Sequence, residues 1–127
     1  MQAVAELAMS RFFSAPFRAR RPDVVKAFRL TLTSMRPGGY VAACAAVRDA
    51  DLTEVVSGIR TPALMIAGAL DESTPPSDAE ALHAAVAGSS LTILADAAHL
   101  ANVEQPDAFN AALLRFLTGG VFIRRRP

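Results

Sequence analysis

Asp71 and His99 are the residues whose types and spacing can do chemistry together. Asp71 follows the apolar run Pro62-Ala63-Leu64-Met65-Ile66-Ala67 by way of Gly68-Ala69-Leu70, and His99 follows Leu91-Thr92-Ile93-Leu94 by way of Ala97-Ala98. Both lie just past the C-terminal end of a strand, where open α/β sheets collect their binding and catalytic groups. Their separation of 28 residues leaves room for one helix and one strand. Adjacent parallel strands would then bring both side chains to the same edge of a sheet. A carboxylate placed there holds an imidazole in one tautomer and stabilises the imidazolium that forms when the ring takes a proton. Each residue alone has a simpler reading, Asp71 as an Asx-turn or helix cap and His99 as a loop imidazole satisfied by backbone. Together they read as the acid and base of a Ser-His-Asp apparatus.

The nucleophile of such an apparatus sits on a strand-to-helix elbow of the form Gly-x-Ser-x-Gly, and the chain contains no such segment. Ser57, Ser73, Ser77, Ser89 and Ser90 read as turn or cap residues. Cys44 is the one decoy: small residues flank it in Ala42-Ala43-Cys44-Ala45-Ala46, and Cys44, Asp71 and His99 run in the required order. That stretch has helical character and follows no strand, so Cys44 is expected to be a packing cysteine. His83 falls within a helix and is expected to be a surface or packing residue.

Two regions position these residues. From Met1 to about Asp51 the apolar residues have helical spacing, broken at Pro16, Pro22 and Pro37-Gly38-Gly39. This predicts three helices: one through Leu7 and Phe12, a second from Pro22 to Met35 with its proline in the first turn, and a third from Tyr40 to Val47. From Arg60 the pattern becomes β-α-β-α. The run Pro62 to Ala67 predicts a parallel strand covered on both faces. Pro75-Pro76 opens a helix with Asp78 and Glu80 in its positive first turn, and Gly88 ends it. Leu91 to Leu94 is the second strand. Pro106 starts an amphipathic helix with Phe109, Leu113, Phe116 and Leu117 on its apolar side, terminated by Gly119-Gly120. Two strands cannot stand as an independent sheet, so the pattern is the end of a larger α/β fold.

Composition narrows the partners. The 127 residues are 52% hydrophobic and 20% charged, with a mean hydropathy of +0.29. This is more apolar than a domain of that length needs for itself, and points to self-association or a partner at an uncovered sheet edge. A net charge of +1 argues against nucleic acid or an anionic membrane surface as a partner. No apolar stretch has the length of a membrane span, and Glu6 and Arg11 interrupt the beginning, so a cytoplasmic protein is expected. The lone Cys44 cannot form an intramolecular disulfide, in keeping with a reducing compartment. Arg124-Arg125-Arg126, after Val121-Phe122-Ile123, reads as a solvated tail.

The segment Thr61-Pro62-Ala63-Leu64-Met65-Ile66-Ala67-Gly68-Ala69-Leu70-Asp71 with Thr74-Pro75-Pro76 is generic for α/β-hydrolases. Ala97-Ala98-His99-Leu100-Ala101-Asn102-Val103-Glu104-Gln105-Pro106 is more specific, and resembles the C-terminal core of the 3-oxoadipate enol-lactonases of the β-ketoadipate pathway of aromatic catabolism. Arg11-Phe12-Phe13, Pro16-Phe17-Arg18, Gly39-Tyr40 and Cys44 to Leu52 resemble that family's helical cap, so the likeness covers nearly the whole chain except the basic tail. It implies a cap at 1–52, the C-terminal α/β-hydrolase core at 53–119 and a tail at 120–127.

By this resemblance Asp71 is the triad acid and His99 the general base, in hydrolysis of 3-oxoadipate enol-lactone to 3-oxoadipate without metal or organic cofactor. The lactone is then the small-molecule partner once an N-terminal half completes the fold. The serine elbow and oxyanion donors of that half have no counterpart here, so the chain alone is expected to be inactive. Arg48 is a candidate for binding the substrate carboxylate, against a salt bridge to Asp49 or Asp51. Phe12, Phe13, Phe17 and Tyr40 stand between pocket wall and cap core. Glu104 is expected to assist the start of the last helix through its charge, and Asn102 either forms a turn or orients the histidine loop. Two alternatives are the end of another cap-bearing α/β-hydrolase, such as an esterase or carbon-carbon hydrolase, and a non-catalytic remnant or interaction module.

Overall fold

A computed structural model describes residues 1–119, so the basic tail at 120–127 and Gly120 of the expected terminator lie outside the described residues. The chain runs α1 (Gln2–Phe12), α2 (Ala15–Arg20), α3 (Pro22–Ser34), α4 (Pro37–Asp49), α5 (Thr53–Ser57), β1 (Leu64–Gly68), α6 (Pro76–Ala85), β2 (Ser90–Leu94), α7 (Ala101–Glu104) and α8 (Pro106–Leu117). The two strands pair in parallel, from Leu64 opposite Ser90 to Gly68 opposite Leu94.

Prolines set the helix starts. Pro22, Pro37, Pro76 and Pro106 each open a helix from its first turn, where the missing N–H has no intrahelical partner to lose. Pro37-Gly38-Gly39 was expected to precede a helix starting at Tyr40; it is instead the first turn of α4. Ser14 caps α2 by accepting from the Phe17 amide at 3.3 Å. Gly88 takes the left-handed conformation (φ 74°) in the turn into β2, three residues after α6 ends. Gly119 does the same past α8 (φ 61°).

The helical region has its own core. Ala8, Met9, Phe13 and Phe17 are buried together, with Val24, Val25 and Leu32 of α3 against them. Phe13 stacks on Phe17 and meets Phe28 edge-on, both at 5.3 Å between ring centres. Leu100, just before α7, and Val103 within it enter the same core, so the loop carrying His99 is plugged into the helices. Phe13 and Phe17 are thus core residues. Cys44 is exposed and α4 has no buried residue, so the expectation of a packing cysteine is corrected: α4 presents Val41 and Val47 to solvent and has no core of its own to pack.

The sheet is less complete. Leu94, Ala97 and Ala101 form a small buried cluster with Ile66 and Phe109. Along β1, Leu64 faces a groove under α8, and Met65 to Gly68 line a hollow beside α6. Only Gly68 of β1 is buried; Leu64 to Ala67 are half-buried, so the expected cover on both faces is partial within the described residues. Leu117 is also exposed rather than packed with Phe109. Among the described residues no helix is long and apolar enough to cross a membrane.

Candidate active site

The ladder continues beyond the strands into the two loops that matter. The Ala69 amide donates to the Leu94 carbonyl and the Leu70 amide to the Ala97 carbonyl, both at 2.9 Å. The Asp71 loop is therefore zipped to the His99 loop. Gly68 permits this crossing: a Cβ there would lie 2.3 Å from the carbonyl oxygens of both Ala97 and Ala98, a collision with fixed backbone.

Asp71 is buried (8% exposed) and its carboxylate has four partners. Oδ1 accepts from the amides of Ser73 (2.7 Å) and Thr74 (3.0 Å). Oδ2 accepts from Thr74 Oγ1 at 2.9 Å and from His99 Nδ1 at 2.8 Å. The Asx-turn and the histidine partnership, which the sequence left as alternatives, coexist, one on each oxygen. Burial pushes the Asp71 carboxyl up, but the Thr74 amide, the His99 imidazole, the Ser73 amide and the Thr74 hydroxyl together outweigh it and hold the group below its usual carboxylate value.

An ionised carboxylate only accepts, so Nδ1 of His99 must carry the hydrogen of their bond, and Nε2 of the neutral ring is a lone pair. Nε2 has no hydrogen-bond partner among the described residues. Phe12 stacks on the imidazole, 5.0 Å between ring centres and 28° between planes. Phe12 is thus a wall of the histidine site. The arrangement is a base with one nitrogen fixed and buffered by a carboxylate and the other free to take a proton.

A hollow of about 370 Å³ adjoins the pair, lined by Asp71, Thr74, His99, three residues of α6 (Asp78, Ala79 and Leu82), and the four consecutive residues Met65 to Gly68. Consecutive lining residues mark an edge of β1, and since β2 takes the other edge, the pair opens beside the edge that no described strand pairs.

Other candidates lie apart. Arg48 ends α4 with its guanidinium committed to Asp49, Nε to Oδ1 at 2.6 Å and the second nitrogen to Oδ2 at 2.8 Å, and it is not among the residues lining the hollow. His83 is exposed on α6, its Nδ1 at 2.7 Å from Ser89 Oγ. Asn102 is exposed in α7. Among the described residues no group of three or more His, Cys, Asp or Glu side chains is placed to hold a metal ion.

Glu104 departs furthest from expectation. Rather than serving the start of α8 by its charge, it is buried (6% exposed) and bridges the α1–α2 corner to the histidine loop. Its Oε1 accepts from the Ser14 amide at 2.9 Å and the Ala98 amide at 3.0 Å, and its Oε2 from the Ser14 hydroxyl. Ser14 is 90 residues away in sequence, and only the oddity of an acid in the apolar setting of Ala101 and Val103 hinted at a buried partner.

Comparison with known proteins agrees with this geometry. Residues 39–124 match the α/β-hydrolase family described as TAP-like protein. The chain is 36% identical over 110 residues to 3-oxoadipate enol-lactonase 2 of Acinetobacter baylyi, covering 87% of this chain and 41% of that protein. It is 33% identical to a pimeloyl-[acyl-carrier protein] methyl ester esterase of Neisseria meningitidis, over 67% of this chain and 33% of that protein. Its fold superposes on the enol-lactonase of Burkholderia xenovorans with a TM-score of 0.89 and 36% identity, covering 93% of this chain and 45% of that one. The chain thus spans less than half the length of these relatives. With Asp71 and His99 bonded to each other in the loops that follow two parallel strands and a family match over most of its length, the chain belongs to the α/β-hydrolases, in the TAP-like family and with enol-lactonases among its relatives.

Proposed function

We propose that Asp71 and His99 are the acid and base of a lactone hydrolase that opens 3-oxoadipate enol-lactone to 3-oxoadipate, with the serine nucleophile and oxyanion donors supplied by residues beyond these 127. The observation that carries this is the 2.8 Å bond from His99 Nδ1 to a buried, ionised Asp71, with Nε2 left free beside the unpaired edge of β1. A serine is a weak nucleophile until a neighbouring base takes its proton. His99 Nε2 is placed to accept it, Asp71 to stabilise the resulting imidazolium, and the same nitrogen to return the proton to the leaving enol oxygen as the ring opens. Water then attacks the acyl-enzyme with His99 again as base, which yields the free acid and restores the serine.

The lactone is preferred because the enol-lactonase relative covers 87% of the chain, against 67% for the methyl ester esterase. An ester reading uses the same two residues and is separated by substrate. The test is co-expression with the N-terminal portion of a related enol-lactonase, which can pair with β1 and bring a serine toward His99. Size-exclusion chromatography and ultraviolet assay of lactone loss are expected to show a one-to-one assembly that turns over, while the chain alone self-associates and does not. A chain that is a stable, cooperatively unfolding monomer, with no gain of activity in the mixture, would favour an independent binding domain. Turnover of a methyl ester but not of the lactone would favour the esterase.

A further inference from the structure

Two backbone hydrogen bonds and one ring stack converge on His99 and the residues beside it. The Ala98 amide, immediately before the histidine, donates to Glu104 Oε1 at 3.0 Å. The Leu100 amide, immediately after it, donates to the Phe12 carbonyl at 3.0 Å. The ring between them stacks on the Phe12 side chain at 5.0 Å. Glu104 is in turn held by the Ser14 amide and hydroxyl. Phe12 and Ser14 bracket the turn between α1 and α2. The imidazole's axial position is thus fixed by a helical corner, while Asp71 fixes only the direction of its Nδ1 hydrogen.

We infer that the α1–α2 corner is a positioning element for His99, acting through the Ser14–Glu104 clamp and the face of Phe12. This builds on the reading of His99 as a general base. Neither Glu104 nor Ser14 is assigned contact with substrate; they act through the histidine. The role needs hydrogen-bond acceptors rather than charge. Both backbone amides meet the same oxygen, Oε1, which a glutamine carbonyl supplies equally, and a glutamine Nε2 can donate to Ser14 Oγ in place of accepting from it. A buried carboxylate replaced by alanine instead leaves the Ser14 and Ala98 amides without partners.

The test reads the imidazole itself, so it does not depend on activity. Histidine-selective labelling with nitrogen-15 and carbon-13 gives two ring systems by NMR, since His83 and His99 are the only histidines, and it works on soluble or sedimented chain alike. At alkaline pH the wild-type His99 ring is expected to be a single tautomer, hydrogen on Nδ1, with its carbon-bound protons shifted upfield by the Phe12 ring. Glu104→Ala is expected to lose that upfield shift and to mix the tautomers. His83 should be unchanged, and Glu104→Gln should match wild type.

An unaltered His99 spectrum in Glu104→Ala would overturn the inference, as would a Glu104→Gln chain that folds but behaves like the alanine variant, because charge would then be what matters. Should Glu104→Ala not fold, Ser14→Ala decides: it removes the hydroxyl bond to Glu104 and the cap on the Phe17 amide but keeps the backbone bond to Glu104, and a smaller upfield shift at His99 supports positioning while an unchanged one refutes it. In the co-expressed assembly the same Glu104→Ala should lower kcat with KM nearly unchanged. An assembly with no activity in any form would count against the proposed function and leave the NMR result standing.

Discussion

The helices α1 to α3 and the pair β1–β2 solve the same problem, burial of apolar surface, to different degrees. In the first region Phe13 is fully buried and Phe17 nearly so, with a neighbouring helix and two residues of the histidine loop against them. In the second, four of five β1 residues are half-buried and the packed cluster is Leu94, Ala97 and Ala101 with two partners, Val86 being buried apart from it at the end of α6. The region that closes its core holds His99, whereas the region that leaves it open presents the edge beside which, in the proposed function, His99 meets a nucleophile. A strand apolar on successive residues is built to be covered on both faces within a larger sheet; among the described residues β1 has β2 as its one strand neighbour.

Substitutions can break this contrast or sharpen it. Phe13→Ala should cost about 3–5 kcal/mol, the usual penalty for emptying a buried aromatic site, and should release the His99 loop together with the helices. Chemical unfolding followed by circular dichroism measures it, and a loss below about 1 kcal/mol would show that the helical core is not the anchor. Gly68→Ala should cost about 1–3 kcal/mol by overpacking, because the new methyl meets two carbonyl oxygens, and it should weaken the Asp71 and His99 loops before the helices. Uniform loss of protection across both regions by amide exchange would argue against that.

Acid acts on the same loops. Asp71 is held below its ordinary pKa in the folded chain, so its contribution to stability is complete above the unfolded carboxylate value and is lost as pH falls through the lower folded one. The stability difference between wild type and Asp71→Asn should accordingly be full at neutral pH and shrink in acid. A difference independent of pH would remove the charge from the explanation. The smallest effects belong to α4: Val47→Ser, at an exposed site, should stay within about 0.5 kcal/mol, and Arg48→Ala should leave the unfolding midpoint where it is. If Arg48 also binds the substrate carboxylate, the latter change raises KM in the assembly and leaves kcat alone.

Much of this was legible in the chain. The apolar runs before Asp71 and His99 read directly as strands, and the prolines at 22, 76 and 106 marked three of the helix starts, because the residues involved act locally. Helices α2, α5 and α7, of 6, 5 and 4 residues, are too short to display a 3.6-residue period. The start of α4 was obscured by two glycines that look like a break but occupy a first turn. The role of Glu104 was hidden for a different reason: its partner Ser14 lies at the other end of the chain, and a buried carboxylate with three donors leaves no trace in periodicity. Exposure of Cys44 and Leu117 was equally unreadable, since helical spacing says which face is apolar and not whether anything covers it.

The central claim is that His99 is the base of a hydrolase completed from outside this chain, and its most direct measure is the rate of enol-lactone loss by the co-expressed assembly, wild type against His99→Ala. A fall of at least about a thousandfold, with the two halves still co-eluting, is the expected result. Turnover within about tenfold of wild type in the same co-eluting assembly would contradict it, and would leave the bond between Asp71 and His99 as a structural feature of two loops.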